Sequence, residues 1–197
     1  MNKKFGFAII AVILLTPGCS ILPESKPIDF YRLQPAQVSN STTVLKRKIS
    51  VAEPELADML QLERILRVAN NGSIVAYSDA RWSAPIALVW QNWLLDALWR
   101  DARFDDISSR QQGLDAQWQV AGRLQAFHII ESTAGARATV RFDAQLIDIK
   151  NRQLTASKSF QAEVTLNDSS ASSAVEALGR ASEQVGVDLL SWLAEPH

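Results

Sequence analysis

Three long stretches of alternation dominate the second half of the chain. Trp118, Val120, Gly122, Leu124, Ala126, His128 and Ile130 alternate with Gln117, Gln119, Arg123 and Gln125. Ala138, Val140, Phe142, Ala144 and Leu146 alternate with Arg137, Thr139, Arg141, Asp143 and Gln145. Leu154, Ala156, Phe160, Ala162 and Val164 alternate with Gln153, Thr155, Ser157, Ser159 and Gln161. A period of two sustained this long requires strands with one face covered and the other wet. The short links 131–136 and Lys150-Asn151-Arg152 suit an antiparallel meander.

Two helical segments supply the cover. Ile86, Val89, Trp90, Trp93, Leu94, Ala97 and Leu98 share one helical face. Ser83 offers a cap, and Pro85 suits a first turn, where its missing N–H costs nothing. Val175, Leu178, Ala181, Val185, Leu189, Trp192 and Leu193 repeat at the same spacing after capping residues at Asp168–Ser170. Upstream, Asp29–Gln34 and Lys48–Glu53 read as short strands, each closed by a proline, and 36–43 as a polar loop. Asn70-Asn71-Gly72 between apolar runs is a hairpin signal, because both turn positions tolerate positive φ. Glu55–Leu62 has room for one helical turn. The fold class is therefore α/β. The expected form is a two-layer sandwich, with a mixed, largely antiparallel sheet of about five to seven strands covered on one face by two helices.

The N-terminus has a different character. Lys3-Lys4 precede an uncharged apolar run from Phe5 to Leu15, followed by Thr16-Pro17-Gly18 and Cys19. A basic start, a short apolar run and a small residue at the cut point make an export signal. The run is too short to span a bilayer, which needs about 20 apolar residues. Cys19 is the only cysteine in the chain, so no disulfide can form within it. The segment resembles a bacterial lipoprotein signal, with Thr16 where leucine usually stands. That resemblance implies a diacylglyceryl group on the Cys19 thiol, cleavage before Cys19 and acylation of the new amino terminus. The divisions are then a signal peptide at 1–18, a lipidated tether at 19–28 and a single domain at 29–197. Loss of 1–18 takes the balance from 20 basic and 21 acidic residues to 18 and 21, a net charge of −3. A weakly acidic chain without a basic run is poorly suited to nucleic acid.

Residues able to carry chemistry are few. His128 falls on the apolar phase of a strand and reads as a core residue, and His197 is terminal. With one cysteine and two histidines, a zinc site is not expected. No nucleophile elbow, P-loop or dinucleotide fingerprint occurs. Asp105-Asp106 reads as a solvated loop pair, and Glu53 and Glu55 merely flank a proline. No catalytic, metal or cofactor residue is assigned beyond the covalent lipid on Cys19. Arg123, Arg137 and Arg141 share a strand phase that makes them either a solvated face or a partner surface. Of the six tryptophans, Trp90 and Trp93 lie on the apolar helix face. Trp82 and Trp99 stand off it, and each reads as either core or partner contact.

The order of these features resembles a known family. Its marks are the lipoprotein signal, Phe30-Tyr31-Arg32-Leu33, Ile49-x-Val51 before Pro54, and the Asn-rich turn with a strand ending near Tyr77. Arg81-Trp82-x-x-Pro85-Ile86 then opens a helix with Leu94 and Leu98. Strands bearing Phe142 and Ala144 and an Ala/Ser-rich terminal helix complete the pattern. This is similar to the ABC-type transport auxiliary lipoproteins, the PqiC-like family. The resemblance implies a non-enzymatic envelope lipoprotein with a fold similar to the TolB N-terminal domain. Its expected partner is an MCE-domain protein of an ABC-type transport system that moves lipids or hydrophobic molecules between membranes. It would dock the periplasmic conduit at the outer membrane and support membrane integrity, with several copies able to surround a ring-shaped partner. Ser20 replaces the aspartate that retains lipoproteins in the inner membrane, so the expected location is the periplasmic face of the outer membrane. A regulator of a periplasmic cell-wall enzyme is the alternative, and it would call for a longer tether. The first prediction concerns the anchor. Cys19→Ala should leave the domain folded while moving it from the membrane pellet to the soluble fraction on cell fractionation, and retention in the pellet would refute anchoring through Cys19.

Overall fold

A computed structural model describes residues 27–41, 44–112 and 114–197. The signal peptide, Cys19 and the start of the tether lie outside the described residues. The element order is β1 (Asp29–Tyr31), β2 (Leu45–Val51), β3 (Glu55–Leu56), a 3-10 turn (Asp58–Gln61), β4 (Arg64–Val68), β5 (Ile74–Trp82) and α1 (Ile86–Asp101). There follow β6 (Phe104–Ser109), a second 3-10 turn (Arg110–Gln112), β7 (Trp118–Ser132), β8 (Gly135–Asp148), β9 (Gln153–Thr165) and α2 (Ala171–Ala194).

The meander is present as the alternation requires. β8 pairs antiparallel with β7 from Trp118↔Asp148 to Ser132↔Gly135, and β9 pairs antiparallel with β8. The other edge of β7 is shared in succession by β2, β3 and β4, all running parallel to it. β6 lies parallel beyond β2, β5 antiparallel beyond β4, and β1 parallel beyond β5. Among the described residues nine strands form one curled sheet, more than the five to seven expected. The additions are β3 and β6. The Asp105-Asp106 pair, read as loop from sequence, lies within β6. That segment is held as a strand because Phe104, Ile107 and Ser108 are buried around the acids.

Both helices cover one face. Trp90 of α1 packs on Phe127 and Phe142 with ring centroids 6.2 and 5.4 Å away, and Trp192 of α2 packs on Phe160 at 5.7 Å. Trp90 also stacks on Trp93 at 5.5 Å. Each such aromatic side chain contributes about 1.5–3 kcal/mol by leaving water. Pro85 itself occupies the position before the first helical turn, and no side chain caps α1, so Ser83 does not serve as expected. α2 begins as the sequence suggests, with the Ser170 hydroxyl accepting from the Ser173 N–H at 3.2 Å. Its last turn is tied to β2 by Arg47, which donates to the carbonyls of Leu193 and Glu195 at 2.5 and 2.8 Å.

One irregularity changes the reading of β7. The register against β8 shifts between Leu124 and Ala126. The bulge exchanges the two faces. Phe127 and Ile129, not Ala126, His128 and Ile130, therefore continue the helix-facing row of Val120 and Leu124. His128 is still buried, but on the opposite face, across from Thr139. The His128 Nδ1 and Thr139 Oγ1 atoms have no hydrogen-bond partner among the described residues.

Two predictions follow from this geometry. At Gly122 (φ +153°) a Cβ would stand 2.3 Å from the Asp143 carbonyl oxygen and 2.8 Å from the Phe142 ring. Gly122→Ala should therefore lower the unfolding free energy by about 1–3 kcal/mol. In α2, Gly179 has open space around it, and Gly179→Ala should raise stability by up to about 1 kcal/mol through helix propensity. Urea denaturation of both variants checks the contrast, and equal effects would refute it. The second prediction is for pH. Burial holds the His128 imidazole below its ordinary value of 6.5. The unfolded chain thus takes up this proton first as pH falls, so the stability of the neutral buried form is complete above the ordinary value and declines below it. Between about pH 7 and 5, wild-type urea stability should fall more steeply than that of His128→Leu. Parallel slopes would show that His128 does not titrate differently on unfolding.

Candidate interaction surface

The face of the meander turned away from the helices carries the arginines singled out from sequence. Register pairs Arg123 with Asp143 across β7 and β8, and Arg137, Arg141 and Asp143 alternate along β8 on that same face. All three arginines are therefore brought to one surface, and each is met by a carboxylate. Arg141 Nε donates to Asp143 at 3.0 Å, Arg137 lies 3.5 Å from Glu163, and Arg123 lies 3.8 Å from both Glu55 and Asp58. Partial burial would raise the Asp143 carboxyl. Hydrogen bonds from Ser159, Arg141 and Gln125 outweigh that effect and hold it below the usual carboxylate range. Exposed pairs of this kind contribute about 0–1 kcal/mol each and weaken with salt, so the face is a patterned polar surface more than a source of stability.

The two tryptophans part company. Trp99 is 60% exposed near the end of α1. It lines an open groove of about 520 Å³ between α1 and β6, together with Leu88, Leu95, Ile107, Gln91 and Gln111. Gln91 is fixed there by donating to the Val51 carbonyl at 2.9 Å and to Gln111 at 3.1 Å. Trp82, by contrast, is only 1% exposed and packs on Phe127 at 5.3 Å. It is a core residue and is corrected as a partner contact. The reason lies in β5, whose register against β4 shifts between the Arg64↔Arg81 and Leu66↔Ala76 pairs and turns Ala80 and Trp82 toward the core.

A basic cluster that sequence reasoning missed lies farther along the sheet. Arg64 and Arg81 are direct cross-strand neighbours, and Phe30, 68% exposed, is the register partner of Arg81 on β1. Neither arginine forms an ion pair among the described residues. The signal existed in Arg64, Arg81 and Phe30 as separate residues, but only the three-strand register joins them. By contrast, the buried carboxylate of Asp101 at the end of α1 is fully engaged by Arg103 through two bonds of 2.7 Å, a structural pair. No group of three or more His, Cys, Asp and Glu side chains suited to a metal occurs among the described residues. No helix among them is long and apolar enough to cross a membrane.

The fold is similar to that of protein XCC0632 from Xanthomonas campestris, of the DUF330 family, with a TM-score of 0.76 at 17% identity over 84% of this chain and 94% of that one. It is also similar to an uncharacterized protein at a TM-score of 0.69 and 15% identity, over 86% of this chain and 100% of that one. Protein CT253 from Chlamydia trachomatis matches at a TM-score of 0.53 and 9% identity, over 76% and 96%. At these identities the likeness is one of fold alone. Among curated proteins none matches the chain. The model of the ABC-type transport auxiliary lipoprotein component matches residues 31–189, almost the whole of the described domain, and the chain belongs to that family.

Proposed function

We propose that this chain is the non-catalytic, lipid-anchored auxiliary subunit of an ABC-type intermembrane transport system. It sits on the periplasmic face of the outer membrane and docks an MCE-domain conduit that carries lipids or other hydrophobic molecules. The observation that carries this reading is the family match over residues 31–189. The surface chemistry supports it, since the described domain offers an exposed tryptophan groove at Trp99 and a patterned arginine–carboxylate face as places for a protein partner. Cys19 fixes the domain to a leaflet, the tether sets its height and the exposed surface binds the conduit. Several anchored copies around one conduit would gain avidity without any new contact.

The test is recovery of the tagged, full-length protein from gently solubilised membranes, with partners identified by mass spectrometry. Co-recovery of an MCE-domain protein together with ABC-transporter subunits is expected, and Trp99→Ala should reduce it while leaving expression unchanged. Recovery of a cell-wall synthase in place of transporter subunits would overturn the proposal.

A further inference from the structure

The strand registers fix the direction in which the chain leaves the domain. β1 runs parallel to β5, with Asp29 beside Ala80. β5 runs down from the β4–β5 hairpin, so Pro27 and Ile28 lie on the side of Asp29 toward that hairpin. The level can also be followed across the sheet. Phe30 pairs with Arg81, Arg81 with Arg64, and Arg67, three residues on, with Ile129. Pro27 therefore stands near the level of Ile129, close to the upper end of β7. The opposite end of the sheet, at Trp118 and the 149–152 turn, lies about 12 residues away, or about 40 Å at 3.3 Å per residue. The eight residues from Cys19 to Pro27 span at most about 27 Å when fully extended. A bilayer holding Cys19 is thus within reach of the hairpin end and out of reach of the far end.

The hairpin end has the chemistry of a surface that meets lipid. Its two tips, Ala69-Asn70-Asn71-Gly72-Ser73 and Ser132-Thr133-Ala134-Gly135, point the same way and contain no ionisable side chain. Just below them, register sets Ile74, Val68 and Ile130 side by side across three strands. Ile74 is 56% exposed and Ile130 38%, with Val75 also open to solvent. Adjacent charges occur as pairs, Arg67 with Glu131 at 2.6 Å and Arg137 with Glu163 at 3.5 Å. Asp29, Asp79 and Asp168 are acids outside such pairs among the described residues, and the Asp168 carboxylate accepts from the Ser170 N–H. Two features thus coincide: an apolar cross-strand row with uncharged tips, and a short tether leading to the same end.

We infer that this end, with Ile74, Val68 and Ile130 at its centre, lies against the phospholipid bilayer and turns the opposite end toward the periplasm. The inference rests on acylation of Cys19. It also has a physical rival, because the far end carries Lys46, Lys48, Lys150 and Arg152, set among Asp105, Asp106 and Asp148, and anionic lipid would attract those cations.

Acylation of Cys19 leaves an introduced cysteine as the sole free thiol, which makes the test direct. Full-length, lipidated Ile74→Cys, Ile130→Cys and Leu154→Cys variants are each labelled with a fluorophore. They are then reconstituted into phosphatidylethanolamine–phosphatidylglycerol vesicles containing a headgroup-attached spin quencher. All three are surface positions. Quenching at 74 and 130 should be several-fold stronger than at 154. Equal quenching at the three sites, or stronger quenching at 154, overturns the orientation, the latter in favour of the basic end. Flotation of the same vesicles separates the two ideas. Protein that floats but fails the quenching pattern refutes the orientation alone, whereas protein that does not float refutes the anchor and the orientation with it.

Discussion

The strand β7 hydrogen-bonds along both edges, and the position of every other strand is set from it. One edge is occupied for its full length by β8. The other is divided among β2, β3 and β4, each parallel to β7 and each short. Parallel neighbours cannot be joined by tight turns, so the chain must leave the sheet and return. Between β4 and its parallel neighbour β7 the chain passes through β5, α1 and β6. The helix-facing row of β7 (Val120, Leu124, Phe127 and Ile129) meets Trp82 and Trp90 through Phe127. The bulge after Leu124 is what makes this row possible. Without the extra residue, His128 would face the helices in place of Phe127.

The features legible in sequence are those with a local, repeated signal. The three meander strands, the two helices, the Asn-Gly hairpin and the Ser170 cap all declare themselves within a few residues. The failures share one cause, a dependence on register between distant segments. β6 has too few residues to show a period, and its exposed acids masked the burial of Phe104 and Ile107. The bulge was hidden because Ala126 and Phe127 are adjacent apolar residues, so either phase of β7 looks plausible. Trp82 stays open between core and partner contact in the sequence, because the irregularity in β5 can be seen only against β4. Among the arginines, 137 and 141 were placed on one face by parity within a strand. Their carboxylate partners, and the Arg64–Arg81 neighbourhood, required pairings from elsewhere in the chain.

Polar groups in this fold divide by what surrounds them. Where a charge is buried, as at Asp101, it has a bidentate partner. Where charges lie on the open sheet face, their partners are looser and each pair is worth little. The His128–Thr139 pair belongs to neither class, being buried, with its Nδ1 and Oγ1 atoms unpartnered among the described residues. Its presence is compatible with stability only because a neutral imidazole costs far less to bury than a charged one, and the same condition ties the fold to pH.

The division of surface chemistry bears on how a small domain of this kind could serve a large assembly. Individually, the Trp99 groove and the half-exposed ion pairs offer modest binding energy. Under the proposed arrangement, the lipid anchor confines the domain to a leaflet, and the short tether limits both its height and its tilt. Confinement raises the effective concentration of the docking surface toward a partner reaching the same membrane, so weak contacts repeated over several copies can hold where a soluble domain would not. A longer, flexible tether would dilute this effect, because effective concentration falls as a linker grows past the span it must cover. With Cys19 acylated as proposed, the brevity of the segment between Cys19 and β1 would be a functional parameter in its own right, linked through the direction of β1 to the end of the sheet proposed to meet the membrane.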